Sequence, residues 1–313
     1  MSPAARIFRD LAGIQLPDRP CHVAVGMFDG VHRGHQAVIE AAVHAARRAG
    51  GIAGVFTFWP HPSRLFRPED PVRMIFTAAE RAELLLGLGA DFIIEQPFTR
   101  EFASIEADQV VPHLKRAMPP LQALYVGENW RFGRGRAGDV AALVTCARRE
   151  GVDVVSAARL RFNGEPISST RIRLLLESGD VAAAAELLGH PYIAVGGVVP
   201  GRQLGRTIQF PTLNLDWRPD LKPARGVYAV RIRGVMGGAP RAGVANYGVR
   251  PTVDGTGDPV LEVHIIGDCP FTTGDTLRVE LVRHLRAERR FDSIDQLREQ
   301  IARDREAAQA ILI

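Results

Sequence analysis

Through residue 188 of this 313-residue chain, short apolar runs alternate with stretches of helical period, and that alternation leaves few folds open. HVAVG, GIAGVFTF, ADFIIEQ, ALYVGE and VDVVSAA read as buried strands. Between them lie HQAVIEAAVHAARRAG, TAAERAELLLGLG, SIEADQVVPHLKRA and DVAALVTCARREG, whose apolar residues recur at helical spacing and most of which end at glycine. Parallel strands must be joined by a crossover, usually a helix. The order predicts an α/β fold with a parallel, doubly wound sheet and helices on both faces. A further helix is expected over LLLESGDVAAAAELL.

From about residue 190 the rhythm changes. YIAVGGVV, GRTIQFPTLNL, GVYAVRIRGV, RAGVANYG, VLEVHIIG and TLRVELVRHL are strand-like and are separated by Gly, Pro and Asp turns. In GVYAVRIRGV, Tyr228, Val230 and Ile232 share one face, and Arg231 and Arg233 share the other. Such a series predicts a small antiparallel β-barrel. A C-terminal helix follows, opened by Ser293 and Gln296 as a capping box and carrying Ile294, Leu297 and Ile301 at helical spacing. The boundary is expected in LLGHPY, near His190 and Pro191, which gives domains 1–188 and 189–313.

Composition narrows the setting. Apolar residues are 46% and charged residues 24%, ordinary values for a soluble globular protein. The opening MSPAARIFRDL is mixed and charged, and no run approaches the roughly 20 apolar residues of a membrane span. Cys21, Cys146 and Cys269 lie far apart without CxxC spacing, so a reducing, cytoplasmic setting is expected, with no membrane partner. The net charge is +4, but the arginines are scattered rather than gathered into a tract, and no nucleic-acid partner is expected. The reading is of a monomer or weak homo-oligomer acting on small molecules.

Ligands of a doubly wound sheet bind beyond the carboxyl ends of its strands. Three unusual segments fall at such ends: GMFDGVHRGHQ (26–36), WPHP (59–62) and GENWRFGRGRAGD (127–139). In the first, Gly26, Phe28, Asp29 and Gly30 are expected to bind nucleotide phosphate as a tight turn into a helix start, whose free N–H groups suit an anion. His32 and His35, three apart, share one helix face and can address one ligand. An imidazole can donate a hydrogen bond to charge developing on a phosphate oxygen. The plainer alternative is that one histidine caps the helix and the other is a surface residue. No third ligand stands beside them at metal spacing. No GxxxxGK[ST] occurs, which excludes a Walker-type site. HxGH resembles the signature of the nucleotidyltransferase superfamily, which activates ATP or CTP at the α-phosphate. ISSTRIR (167–173) places hydroxyls and arginines at a helix start, an arrangement suited to distal phosphates or simply an N-cap.

GMFDGVHRGHQ, GENWRFGRGRAGD and ISSTRIR, in that order, resemble the three signatures of the adenylyltransferase module of the bacterial riboflavin kinase/FMN adenylyltransferase family. The likeness continues through GGVVPGRQLGRTIQFPTLNL, GVYAV, GVANYGVRPT, LEVHIIG and LRAERRFDSIDQLREQI, so it spans about Val23 to Ala308. It implies a nucleotidyltransferase-type first module that joins FMN and ATP into FAD, with release of pyrophosphate and with Mg²⁺ bridging phosphates. By motif, His32 and His35 would hold the phosphates in the transition state. Asn129 and the arginines of RFGRGR, Arg136 among them, would contact ATP or FMN phosphates. Ser169, Thr170 and Arg173 would hold the departing pyrophosphate. Phe66 and Phe132 would pack on the isoalloxazine or belong to the core.

The second module resembles riboflavin kinase, which moves the γ-phosphate of ATP to riboflavin. In VLEVHII, Leu261, Val263 and Ile265 face one way and Glu262 and His264 the other, and the resemblance makes Glu262 the base. PTLN is similar to the family's PTxN signature, so Thr212 and Asn214 would hold Mg²⁺ and nucleotide phosphates from one strand face. Gly201, Gly205 and Arg206 would cover the phosphates as a glycine loop. There are departures from the pattern: Trp59 replaces an acidic residue before PHP, Gln209 and Leu213 replace the common Gly and Ala around PTLN, and GDCPFTTGD lacks an aromatic-glycine pair. Two other classes fit parts of the pattern: a cytidylyl or pantetheine transferase with an accessory barrel, and a non-enzymatic flavin or RNA binder. GENWRFGRGRAGD together with PTLN argues against the first, and sparse aromatics with His32, His35 and Glu262 all in place argue against the second.

Overall fold

All five residues of Cys21–Val25 are buried, as a strand covered on both faces requires. A computed structural model, describing residues 6–200, 210–249 and 259–313, shows how that cover is built. The chain divides into two compact units, Met1–Ser169 and Thr170–Ile313. The division precedes the change of rhythm at 188/189, because the helix Val181–Leu188 packs on strands of the second unit.

The first unit holds β1 Arg6–Phe8, β2 Cys21–Val25, β3 Ile52–Phe58, β4 Phe92–Gln96, β5 Leu121–Gly127 and β6 Asp153–Ala157. They form one parallel sheet in the order β1-β4-β3-β2-β5-β6, and β7 Arg161–Phe162 and β8 Glu165–Pro166 pair apart from it as a two-stranded antiparallel ladder. Its helices are α1 Arg33–Arg48, α2 Ser63–Phe66, α3 Ala78–Gly87, α4 Arg100–Ala103, α5 Ala107–Ala117 and α6 Val140–Arg149. Side chains alternate across β2: Ala24 packs with residues of α1 and α3, whereas Cys21, Val23 and Val25 pack with residues of α5 and α6. The sheet is therefore doubly wound as expected. Strands β2, β3 and β4 are laid down towards one edge and β5 and β6 towards the other, so the order reverses between β2 and β5. Two edge features differ from expectation. β1 is a three-residue strand too short to show a period, and β6, read as buried, is largely exposed as an edge strand.

The second unit begins at Thr170, the second residue of α7 Ser169–Ser178, and continues with α8 Val181–Leu188. LLLESGDVAAAAELL is thus two helices rather than one. Gly179 takes φ of +89°, and Asp180 caps α8 by accepting the Ala183 N–H at 3.0 Å. Strands β9 Tyr192–Val199, β10 Leu213–Asp216, β11 Gly226–Gly234, β12 Gly237–Val249, β13 Pro259–Ile265 and β14 Thr276–Arg286 close an antiparallel barrel, and α9 Ile294–Leu312 follows. The barrel order is β10-β13-β12-β11-β14-β9. Tyr228, Val230, Ile232, Leu261, Val263 and Ile265 are buried, as their alternation predicts. Val227 and Ala229, on the other face of β11, are buried too, because Ala308 of α9 packs over them. No helix among the described residues is long and apolar enough to cross a membrane.

A buried carboxylate pins α9 to the barrel. Asp304 accepts from Arg286 Nε at 3.0 Å and Nη2 at 2.8 Å, and from Gln300 Nε2 at 2.7 Å. Asp304→Ala leaves a partly buried guanidinium unpaired, so urea denaturation should show the second unit destabilised by about 1–3 kcal/mol.

Candidate active sites

Beyond β2 the backbone turns under strain. Phe28 and Val31 adopt φ of +48° and +44°, left-handed values that side chains with a Cβ rarely take, and Gly30 between them takes +81°. Such residues persist only where their surroundings over-determine them. Here Gly26 N–H donates to Phe56 O at 3.1 Å and Thr57 Oγ1 donates to Met27 O at 3.0 Å. Asp29 accepts the Ile75 N–H at 2.9 Å, and its own carbonyl accepts from Ser169 Oγ at 2.9 Å. Gly26 has a steric reason as well, since a Cβ there would meet the Phe28 ring at 3.1 Å.

The loop delivers both histidines to the start of α1. His32 is the N-cap, its Nδ1 accepting the His35 N–H at 3.3 Å. The cap alternative is therefore realised, yet His32 also stacks on His35 with centroids 3.5 Å apart and planes 17° apart. Phe28 meets His35 edge-on at 5.3 Å. His35 Nδ1 is buried without a hydrogen-bond partner. Burial pushes the pKa of His32 down to about 4, with the Arg159 charge adding to the effect. Burial, then His32 and Arg81, hold His35 well below the usual range. Both rings are neutral near pH 7.

The pair faces a cavity of about 260 Å³ at the point where the strand order reverses. Gly26, Phe28, His32 and His35 line it from the β2 side, Asn129 and Trp130 from the end of β5, and Arg159 and Ser169 complete it. Ser169 opens α7, on which Thr170 and Arg173 follow. Asp29 and Gly30 do not line the cavity but shape the turn beside it. Arg136 lies in the exposed turn Arg134–Arg136 and is not part of the wall. Phe132 belongs to the core, 6% exposed and stacked 4.6 Å from Trp130, so it is Trp130 that meets the cavity. Phe66 is 65% exposed on α2, edge-on to Phe98, and does not line the cavity either. Sequence reasoning misses Trp130 and Arg159. Trp130 could have been found inside GENWRFGRGRAGD, but Arg159 follows an edge strand and carries no motif.

In the barrel, register gathers polar groups. Asn214 of β10 pairs with Glu262 of β13, which pairs with Asn246 of β12, so three polar residues stand in one row across neighbouring strands. Leu261 and Val263, on either side of Glu262, are fully buried, so the row lies on the opposite face from them. Asn214 is 5% exposed. Thr212 is exposed and precedes β10 rather than sharing its pleat with Asn214. The segment entering PTLN is anchored by His264, whose Nδ1 lies 2.9 Å from Pro211 O and whose ring meets Phe210 edge-on. Gly201, Gly205 and Arg206 lie outside the described residues. Asn246 is a third residue that the sequence reading missed, and only strand register reveals it. Among the described residues no group of three or more His, Cys, Asp or Glu could hold a metal ion by itself.

Comparison with known proteins matches both halves. The FAD synthetase family matches residues 14–171 and the riboflavin kinase family residues 188–312. The bifunctional riboflavin kinase/FMN adenylyltransferase of Escherichia coli K12 is 38% identical over 290 residues, covering 93% of this chain and 92% of its own. That of Pseudomonas fluorescens is 34% identical and covers 98% and 97%. A solved Streptococcus pneumoniae structure, described as a macrolide-efflux protein, superposes with a TM-score of 0.86 at 30% identity, covering 97% of this chain and 98% of that one. With both family regions in the same order and relatives matched almost end to end, the chain belongs to the bifunctional riboflavin kinase/FMN adenylyltransferase family.

Proposed function

We propose that residues 189–313 phosphorylate riboflavin to FMN on the Asn214–Glu262 row, and that residues 1–188 join FMN and ATP into FAD in the cavity between the ends of β2 and β5. The observation that carries the second half of this reading is the stacked, neutral histidine pair at a helix start on the sheet's reversal point.

In adenylyl transfer an oxygen of the FMN phosphate attacks the α-phosphorus of ATP, the bond from that phosphorus to the bridging oxygen breaks, and pyrophosphate leaves. The attacker is already an anion, so no base is required and catalysis rests on positioning and charge. His32 Nδ1 accepts a backbone N–H, which leaves the proton on Nε2 as a hydrogen-bond donor for a phosphate oxygen. His35 supplies a second donor from the stacked ring. Arg159 adds fixed positive charge, Asn129 a neutral amide, and Ser169 a hydroxyl that suits the departing pyrophosphate, while Thr170 and Arg173 rest on the motif alone.

In the kinase step the riboflavin hydroxyl attacks the γ-phosphorus, Glu262 takes the hydroxyl proton, and ADP leaves with the broken bond. An alcohol is a poor nucleophile at neutral pH, so a carboxylate base is useful here and not in the other site. The Asn214 amide oxygen is a hard donor in register with the Glu262 carboxylate, a start that would fit hydrated Mg²⁺, with Thr212 offered by the PTLN motif from the segment before β10. When bound with nucleotide, that ion offsets phosphate charge; the protein's part is to fix the oxygens and the base. The free thiols Cys21, Cys146 and Cys269 support a cytoplasmic setting.

Purified protein given riboflavin, ATP and Mg²⁺ should form FMN and then FAD when the flavins are separated by chromatography. Glu262→Ala should slow FMN formation by about 10²–10⁴-fold while still converting added FMN to FAD. His32→Ala/His35→Ala should let FMN accumulate, with FAD formation reduced by about 10²-fold or more. A folded variant of either kind that lost both activities would refute the division of labour.

The histidines also set an acid limit. A folded pKa below the unfolded value contributes stability that is fully present above the unfolded pKa, near 6.5, and is lost as pH falls towards 4. For His32 the loss at pH 5 is about 2 kcal/mol relative to pH 7. His32→Asn keeps a capping side chain and removes the titration, so calorimetry should show the variant losing correspondingly less stability between those two pH values.

A further inference from the structure

One buried cation beside the first cavity has no part in the chemistry above. Arg81 of α3 is wholly buried, and its guanidinium reaches three strand ends at once. Nη1 donates to Met27 O and to Phe58 O, both at 3.2 Å, and Nη2 to Glu95 Oε1 at 3.2 Å. The Trp59 ring lies 5.4 Å from the guanidinium carbon, and Arg9 pairs with the same Glu95 carboxylate. A capping box formed by Thr77 and Glu80 fixes the turn of helix from which Arg81 projects.

Burying a guanidinium and a carboxylate costs several kcal/mol per ion, and apolar residues of similar volume often pack as well or better. What they could not replace is the donor set. Met27 and Phe58 lie where β2 and β3 end, so their carbonyls have passed beyond the ladder and need donors from elsewhere. Met27 O receives two, Arg81 Nη1 and Thr57 Oγ1, and the next residue is left-handed Phe28. From there the chain runs through Val31 to His32 and His35. A carbonyl gripped from two buried donors determines where this strained turn begins and hence where the imidazoles stand.

On the reading that this cavity performs adenylyl transfer, we propose that Arg81 is a positioning residue for it, holding the Met27 carbonyl and through it the left-handed turn and the His32–His35 pair. Substrate-contacting groups displaced by about 1 Å can cost on the order of 10²-fold in rate.

The test uses the full chain, assayed separately for FMN-to-FAD and riboflavin-to-FMN conversion. Arg81→Met should lower kcat for FAD formation about 10- to 100-fold, and the kinase rate should stay within about twofold. Arg81→Lys, which keeps the charge but cannot span three acceptors, should fall between wild type and Arg81→Met. In Arg81→Met/Glu95→Met the buried carboxylate that has lost its buried cation, keeping only Arg9, is gone, so thermal stability should recover while FAD formation stays low. Thr57→Val removes the second donor to Met27 O with little change in shape. It should lower FAD formation several-fold, and it keeps the question answerable if Arg81→Met does not fold. Recovery of FAD formation in the double variant would overturn the proposal, because Arg81 would then only neutralise Glu95. So would an unchanged Thr57→Val, or a parallel loss of both activities. A wild-type chain unable to convert FMN to FAD would instead refute the underlying assignment of the cavity.

Discussion

One buried guanidinium holds the carboxyl ends of the parallel sheet together. Strands of such a sheet end in carbonyls whose ladder partners have run out, and in the first unit those ends are also where the cavity must be built. Arg81 answers both needs from inside the protein, joining the turn after β2, the end of β3 and a side chain of β4. Burial lowers its pKa to about 10, still far above neutrality, so the site is framed by a permanent positive charge that no solvent screens. The neutral state of His35 follows in part from this. Two rings stacked at 3.5 Å with a buried cation nearby cannot readily gain protons until an anion arrives to compensate.

On the proposed reading, the two modules meet their chemistry by different means. In the first, the nucleophile arrives charged, and the fold supplies strained backbone, neutral donors and positive charge at a helix start. In the second, the nucleophile is an alcohol, and the barrel supplies a carboxylate flanked by amides in one register row. A doubly wound sheet can build a site from loops because its strand ends converge at the reversal. A closed barrel has no such point and instead builds from side chains that share a pleat.

Much of this was legible in the chain. The β-α rhythm, the barrel strands, the faces of GVYAVRIRGV and VLEVHII, and the HxGH turn all follow from local period and local residue type, which a sequence displays directly. What escaped depends on three dimensions. LLLESGDVAAAAELL reads as one helix by period, but Gly179 with capping Asp180 divides it. Phe132 and Trp130 are two residues apart in one aromatic segment, and only packing decides which is core and which meets the cavity. Arg159 and Asn246 enter their sites through strand order and register, quantities that no single segment encodes. Arg81 sits in an unremarkable amphipathic pattern, and its burial could not be read from that pattern.

The pleat of β13 has a consequence for how its carboxylate is protected from error. Side chains alternate strictly, so a slip of a single residue would bury Glu262 inside the barrel and push Leu261 and Val263 into water. Misaligned pairing would thus strand a charge and expose two aliphatic groups together, an outcome far costlier than either alone. The address of Glu262 is written by its greasy neighbours, whose alternation decides which face of the strand the carboxylate occupies.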